Sequence, residues 1–209
     1  MNELSNIVIF DKKILTQLSY KTMLDKSLKN TLHKFEKDQL INDLKNARRF
    51  FLSKQNIIES YIRSYRIKSI DSILMKYDRY YPNTSFERVY NDILGFRILC
   101  KNYSDIERIL DPEIFSRKSD MRNGKKIDDG YRGLHVYFQE SHFHYPIEFQ
   151  INKVDDRVFN NWLHIHLYKR NISGSIGGKL RKMYNDGKIS DENDFRRELN
   201  VLLSSEEKK

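Results

Sequence analysis

The sequence predicts an α+β fold, and three stretches of its 209 residues carry that reading. Residues 11–63 hold neither proline nor glycine and show apolar residues at helical spacing. Residues 91–100 read as a buried strand. Residues 128–152 read as a glycine-bearing loop followed by two strands and their turn.

Taken in order, residues 11–63 place Leu40, Leu44, Phe51, Ile58 and Ile62 near one helical stripe among Lys, Glu, Asn and Gln. One helix over this stretch would exceed about 75 Å at roughly 1.5 Å per residue, so two or three helices are expected. Lys21, Lys26, Lys29, Lys34, Lys45, Arg48 and Arg49 are spread over it, on solvated faces or facing a partner. Next, Ser69 or Asp71 is placed to cap a helix running through Met75 towards Tyr80. Ser72 and Lys76 lie four apart on one face of it, and Arg66 and Lys68 lead in. Such groups at a helix N-terminus suit a polyphosphate, although an ordinary capped surface helix has the same pattern. Residues 82–85 form a loop and 86–90 a helical turn. The strand at 91–100 has an acid, Asp92, at its mouth, with Gly95 and Arg97 within it. Ser104 to Glu107 reads as a capping box for a short helix to Leu110, ended at Asp111-Pro112. Residues 117–129, charged and with Gly124, are expected to form a mobile loop.

The hairpin follows. By the period of two, Leu134, Val136 and Phe138 share one face of residues 132–140, with His135 and Tyr137 on the other. Residues 145–152 put Ile147, Phe149 and Ile151 opposite Glu148, Gln150 and Asn152. A polar row beside an apolar row predicts a half-buried sheet. Glu148 stands where a plain strand would carry Thr or Val, and such a carboxylate usually has a cation. Beyond the hairpin, Asp155 is expected to cap a helix through Arg170, with Val158, Trp162 and Ile165 as its inner stripe. Gly174, Gly177 and Gly178 predict a flexible break, residues 179–188 a basic segment, and Ser190-Asp191-Glu192-Asn193 the start of a last helix with a polar tail at 204–209. The expected division is a helical N-terminal extension (1–63), a core (64–171) and a C-terminal helical extension (172–209).

Composition narrows the function. At 39% hydrophobic the chain is too apolar for disorder, and its apolar residues are too scattered for a membrane span. The early apolar run at 7–10 is too short for a signal-peptide core, and a cytoplasmic location is expected. A single cysteine, Cys100, excludes an intramolecular disulfide and a multi-cysteine metal site, and its apolar neighbours predict a buried thiol. A net charge of +9, from 38 Lys+Arg against 29 Asp+Glu, suits a polyanionic partner or a solvated basic surface. There is no HExxH, no GxxxxGK[ST] and no GxGxxG. His164 and His166, two apart on a helix, face different sides and chelate one zinc poorly. His142 and His144 fall in the hairpin turn. Asp92 and Glu148 are candidate neighbours across the sheet. Two carboxylates about 4 Å apart repel by roughly 4 kcal/mol at an effective dielectric of about 20, so they call for a shared proton or a divalent cation. With a phosphate grip nearby, Mg²⁺ is favoured, since it takes carboxylate oxygens plus substrate phosphates. Glu148 is also placed to accept a proton from an attacking hydroxyl.

The sequence also resembles the RelA/SpoT synthetase domain. The resemblance rests on five blocks in matching order and spacing: Arg66-x-Lys68-x-x-x-Ser72-x-x-x-Lys76, Asp92-x-x-Gly95-x-Arg97, Gly130-Tyr131-Arg132-x-x-His135, Glu148-x-Gln150-Ile151, and His164 with Tyr168-Lys169. It covers residues 66–169, and the length is that of a small alarmone synthetase. It implies a mixed, nucleotidyltransferase-like sheet flanked by helices, and transfer of pyrophosphate from ATP to a ribose 3′-hydroxyl. It assigns ATP to Arg66, Lys68, Ser72, Lys76 and Arg97, with Arg117 over the adenine. It assigns Mg²⁺ to Asp92 and Glu148, the latter also as base, and the acceptor base to Tyr131. Arg132, His135, Gln150 and His164 fall on the acceptor side, where Lys26 and Lys29 are further candidates. The usual Glu-x-Gln-Ile-Arg-Thr reads Glu148-Phe149-Gln150-Ile151-Asn152-Lys153 here. Leu163 replaces the acid usual before His164, and Gly133 stands where Ser is common after Tyr131-Arg132. These departures resemble the toxic branch of small alarmone synthetases, some of which modify the 3′-terminal adenosine of tRNA and are paired with an antitoxin protein. The expectation is therefore a tRNA acceptor, with GDP or GTP as the alternative and an inactive nucleic-acid-binding module as the third reading.

Overall fold

The computed structural model describes residues 10–170, 172 and 174–206. Its sheet contains β1 (Tyr65–Ile67), β2 (Leu94–Cys100), β3 (Phe115–Asp120), β4 (Leu134–Phe138) and β5 (Ile147–Lys153), ordered β1-β2-β5-β4-β3. The helices are α1 (Lys12–Gln17), α2 (Lys37–Ser53), α3 (Gln55–Tyr61), α4 (Ile70–Tyr80), α5 (Phe86–Val89), α6 (Tyr103–Glu107), α7 (Val154–His166), α8 (Gly174–Asn185) and α9 (Glu192–Glu206). This is the α+β class expected, a mixed sheet with flanking helices. Two compact units divide it. The first comprises residues up to Ile98 with Ser104–Ser119 and His135–Ile151, and the second comprises Leu99–Tyr103, Asp120–Leu134 and Asn152 onward.

In the first unit the strands use their alternation fully. Val136, Phe138, Ile147, Phe149, Ile151, Leu94 and Phe96 are buried, and the Phe96 and Phe149 rings stack 5.1 Å apart. On the opposite row Tyr137 and Glu148 are each 5% exposed, while His135 and Gln150 are partly exposed. The polar face is therefore more covered than the half-buried sheet expected, because polar partners replace water at Tyr137 and Glu148. Leu40, Leu44, Phe51, Ile58 and Ile62 are buried as their stripe predicted, and Ser69 caps α4 by accepting from Ser72 N.

The helical reading of residues 11–63 fails at 18–36, which holds only a 3₁₀ turn, Leu32–Lys34. Here the backbone pairs with the β4–β5 connection: Thr22 N donates to Phe143 O and Leu28 N to His142 O, both at 2.8 Å, and Tyr145 N donates to Tyr20 O at 2.9 Å. Asp43 on α2, 3% exposed, accepts from Thr22 Oγ1 at 2.5 Å, Tyr145 OH at 2.8 Å, Met23 N at 2.9 Å and Tyr20 OH at 3.3 Å. Those donors satisfy the segment without a helix ladder. The mobile loop expected at 117–129 begins as β3, an edge strand. Its charged residues are normal for an edge and hid the alternation. The Ser104 capping box is displaced, since α6 already starts at Tyr103.

The second unit packs Phe159, Trp162, Leu163 and Leu167 against Ile176, Leu180, Phe195 and Leu199. Lys153, not Asp155, is the N-cap residue of α7, which ends at His166 before a 3₁₀ turn, Tyr168–Arg170. Its buried stripe is Asp156, Phe159, Asn160, Leu163 and His166 with Trp162, while Val158 and Ile165 are exposed. Polar residues that find buried partners masked that face. Gly177 and Gly178 do not break the chain but lie within α8. A Cβ on Gly177 would stand 2.1 Å from Asp129 O, and one on Gly178 2.6 Å from Asp128 O, so these glycines permit close approach. Cys100 is buried. Parts of two expectations, the apolar run at 7–10 and the tail at 204–209, lie outside the described residues.

Candidate active site

On the polar face of the sheet in the first unit, three neighbouring strands bring Arg66, Gly95 and Glu148 into one row. Arg66 pairs with Gly95 across the antiparallel β1–β2 ladder. A Cβ on Gly95 would lie 3.4 Å from Glu148 Oε2, so the glycine admits the carboxylate over β2. Glu148 is fully engaged: Oε1 meets His135 Nδ1 at 3.0 Å and accepts from Tyr137 OH at 3.2 Å, and Oε2 accepts from Gln150 Nε2 at 2.8 Å. The side chain expected to need a cation is held by neutral donors and a histidine. Burial and the facing Glu148 charge push the Tyr137 hydroxyl well above its usual pKa, keeping it a donor. The Arg117 guanidinium covers the Tyr137 ring at 4.2 Å, and its buried Nη2 has no hydrogen-bond partner among the described residues.

Asp92, just before β2, is pinned by two ammonium groups. Lys68 Nζ donates to Oδ2, and Lys76 Nζ to Oδ1 at 2.9 Å and to Val89 O at 2.8 Å. Burial alone would raise the Asp92 pKa, but Lys76 and Lys68 outweigh it and hold it below the ordinary 3.8. For Lys68 burial wins and its pKa falls, against the pull of Asp92. Arg48 on α2 steadies this turn, its Nε donating to Lys68 O at 3.1 Å.

Asp92, Glu148 and Gln150 line one cavity with Arg66, Gly95 and Arg97, of about 20 Å³. Its oxygen donors and its size fit a hard divalent cation better than a bulky group. Among the described residues no three His, Cys, Asp or Glu side chains cluster for a metal. A two-carboxylate site of this kind suits Mg²⁺, which completes its shell with water and phosphate oxygens.

In the second unit, the loop bearing Tyr131 is held by buried polar side chains. Asn152, 1% exposed, donates through Nδ2 to Arg132 O at 2.8 Å and to Tyr131 OH at 3.4 Å. A Cβ on Gly133 would stand 2.6 Å from that same nitrogen and 2.9 Å from Tyr131 OH. Gly133 and Asn152 are therefore matched: a serine at 133 would collide with the amide. Lys125 lies over the Tyr131 ring at 5.6 Å and pairs with Asp129 at 2.5 Å. Arg132 is paired with Asp128 at 2.8 Å. A separate polar cavity of about 460 Å³ in this unit is lined by Tyr103, Arg122, Asn123, Arg132, Lys153, Asp156 and Asn185.

A family model described as "Region found in RelA / SpoT proteins" matches residues 65–173, just over half of the chain. The chain belongs to this family. As a member it is an ATP-dependent pyrophosphotransferase. No curated protein sequence matches it. Among solved structures it is similar to small alarmone synthetase 1 from Bacillus subtilis, at 19% identity over 84% of this chain and 99% of that one, TM-score 0.44. The same enzyme bound to its product pppGpp matches at 20% identity over 82% and 96%, TM-score 0.45. Small alarmone synthetase 2 from the same organism matches at 19% over 83% and 99%, TM-score 0.46.

The structure of this RelA/SpoT-family chain brings Arg66, Asp92, Arg97, Glu148 and Gln150 together, with Lys68 and Lys76 on Asp92 and His135 on Glu148. Ser72 sits in the first turn of α4, its Oγ accepting from Ser69 Oγ at 2.9 Å. Tyr131, Arg132 and His164 belong to the second unit, with His164 exposed on α7. Lys29 is exposed, and Lys26 Nζ donates to Lys34 O at 2.9 Å. The sequence reading gave no role to Tyr137, Asn160 or Arg181, and placed Arg48 on a solvated face or facing a partner, where the structure has its Nε on Lys68 O. Tyr137 was detectable as the alternation partner of His135, whereas the other three depend on packing between distant helices and loops. No helix among the described residues is long and apolar enough to cross a membrane.

Proposed function

We propose that the chain transfers the β,γ-pyrophosphate of ATP to the 3′-hydroxyl of the terminal adenosine of tRNA, which blocks aminoacylation and translation. The observation that carries the chemistry is the cavity shared by Asp92, Glu148 and Gln150 with Arg66 and Arg97. The acceptor oxygen forms a bond to the β-phosphorus as the bond from that phosphorus to the bridging α,β-oxygen breaks. AMP leaves with that electron pair, and the hydroxyl proton passes to Glu148. Mg²⁺ held by Asp92 and Glu148 would supply neutralisation of charge on the transferring phosphates. Arg66, Lys68, Ser72, Lys76 and Arg97 serve the ATP phosphates, Arg117 the adenine, and Tyr131 the acceptor base, where aromatic stacking tolerates any base. Lys68 and Lys76 hold Asp92 ionised in the meantime. Arg132, His135, Gln150 and His164 complete the acceptor side, His135 and Gln150 through their grip on Glu148.

The tRNA acceptor is supported by the end of β5. Where Arg-Thr is usual, Asn152-Lys153 moves the cation one residue along, off the row of Glu148 and Gln150. Lys153 instead lines the polar cavity with Arg122 and Arg132. That arrangement suits phosphates strung along a chain, and the net charge of +9 suits a polyanion. Lys26 and Lys29 are further candidate contacts, the cytoplasm is the working compartment, and an antitoxin protein is the expected neutralising partner. The test supplies β,γ-labelled ATP with deacylated tRNA, GDP and GTP in parallel. Label on tRNA is expected. Label only in guanosine tetra- or pentaphosphate would replace the acceptor with GDP or GTP, and no transfer with nucleic acid still bound would leave a binding module.

A further inference from the structure

We infer that α8, beyond the region matched by the family model, positions the acceptor loop, and that Arg181 is the positioning residue through which it does so. This rests on the reading of Tyr131 as the platform for the acceptor base. Arg181 is 2% exposed and lies over the Phe159 ring at 4.1 Å. Its Nη1 pairs with Asp156 Oδ1 at 3.0 Å, which answers its charge. Its other nitrogens serve the loop. Nε donates to Gly130 O at 2.8 Å, and Nη2 to Asn160 Oδ1 at 3.1 Å. Asn160 in turn brackets Arg132, the next residue but one, accepting from Arg132 N at 3.2 Å and donating to Arg132 O at 2.7 Å. Asn152 donates to that same carbonyl. The backbone is thus held on both sides of Tyr131.

The helix can reach this loop because both surfaces lack side chains. A Cβ on Gly130, whose φ is +84°, would fall 2.3 Å from Gly177 O, and the reverse approach at Gly177 is as close. An ion pair buried only for stability gains little over apolar packing. Two guanidinium nitrogens directed at the loop and at its bracket give the arginine a task that a hydrophobic residue lacks.

Two variants test this. Arg181→Lys keeps the charge and removes the fork, and Gly177→Ala pushes the loop without altering any charge. Each is measured for KM of ATP, KM of the acceptor that takes label, kcat, and amide hydrogen exchange at residues 129–133. Loss of a charge-assisted buried hydrogen bond predicts acceptor KM raised about tenfold, with ATP KM changed less than about twofold. Exchange at 129–133 should quicken while α9 keeps its protection. Equal rises in both KM values, or an unchanged acceptor KM, overturn the inference. If the unaltered protein labels no acceptor, the proposed function fails separately, and unchanged exchange at 129–133 overturns the loop frame by itself. Should Gly177→Ala not fold, Arg181→Lys carries the test.

Discussion

Glu148 is fixed by three donors from two strands, so its orientation does not depend on a bound ligand. Glu148→Gln keeps the shape and removes both the proposed proton acceptor and the proposed anionic ligand. Transfer should fall by at least about a thousandfold, a typical size for combined loss of base and charge stabilisation. Thermal melting should stay close to that of the parent, and near-normal turnover would move the base elsewhere. Asp92 makes a pH prediction. Its folded pKa lies below 3.8, so its stabilising contribution is complete above that value and is lost as pH falls through the lower folded value. The stability gap between the parent and Asp92→Asn should therefore be widest near neutrality and close in acid. Urea midpoints at about pH 7 and about pH 3 measure it, and a gap that grows in acid would contradict the sign.

At the scale of elements, a buried carboxylate and a set of glycines do what regular structure does not. Residues 18–36 carry helix-compatible composition, yet their amides are taken by the β4–β5 connection and by Asp43. Asp43→Ala would leave Thr22, Met23 and Tyr145 donors without their acceptor. Destabilisation of about 3 kcal/mol is expected, since each unsatisfied buried group costs roughly 1–3 kcal/mol. Denaturant unfolding reads it, and a loss under about 1 kcal/mol would mean that water replaces the carboxylate. The strands and α4 were legible because their apolar spacing and the Ser69 cap are local properties. The α7 stripe was misplaced because Asp156, Asn160 and His166 are buried through partners on other elements: Tyr103, Arg181 and Glu192.

For the whole molecule, the net charge of +9 bears on the proposed tRNA acceptor. Binding of deacylated tRNA should weaken steeply with salt, the slope of log K against log salt reaching about −3 or steeper if several phosphates are neutralised. Filter binding over a salt series measures this. A slope near zero would place the basic residues outside the interface. ATP affinity should respond less, because the proposed phosphate grip includes Lys68 and Lys76, whose side chains are only 8% and 21% exposed.

The sequence by itself determined the family, the α+β class and the residues that line the cavity of Asp92 and Glu148, where the chemistry is proposed, because motif spacing and strand alternation are written along the chain. It marked Gly133 and Asn152 as departures. Only the tertiary structure decided that these two are physically coupled through one amide nitrogen. The same holds for Asp92, which is held by two lysines, and for Arg181, which reaches the Tyr131 loop from 51 positions beyond the Gly130 carbonyl. Such contacts join residues distant in sequence, where a buried polar group is stable only once its partner is in place.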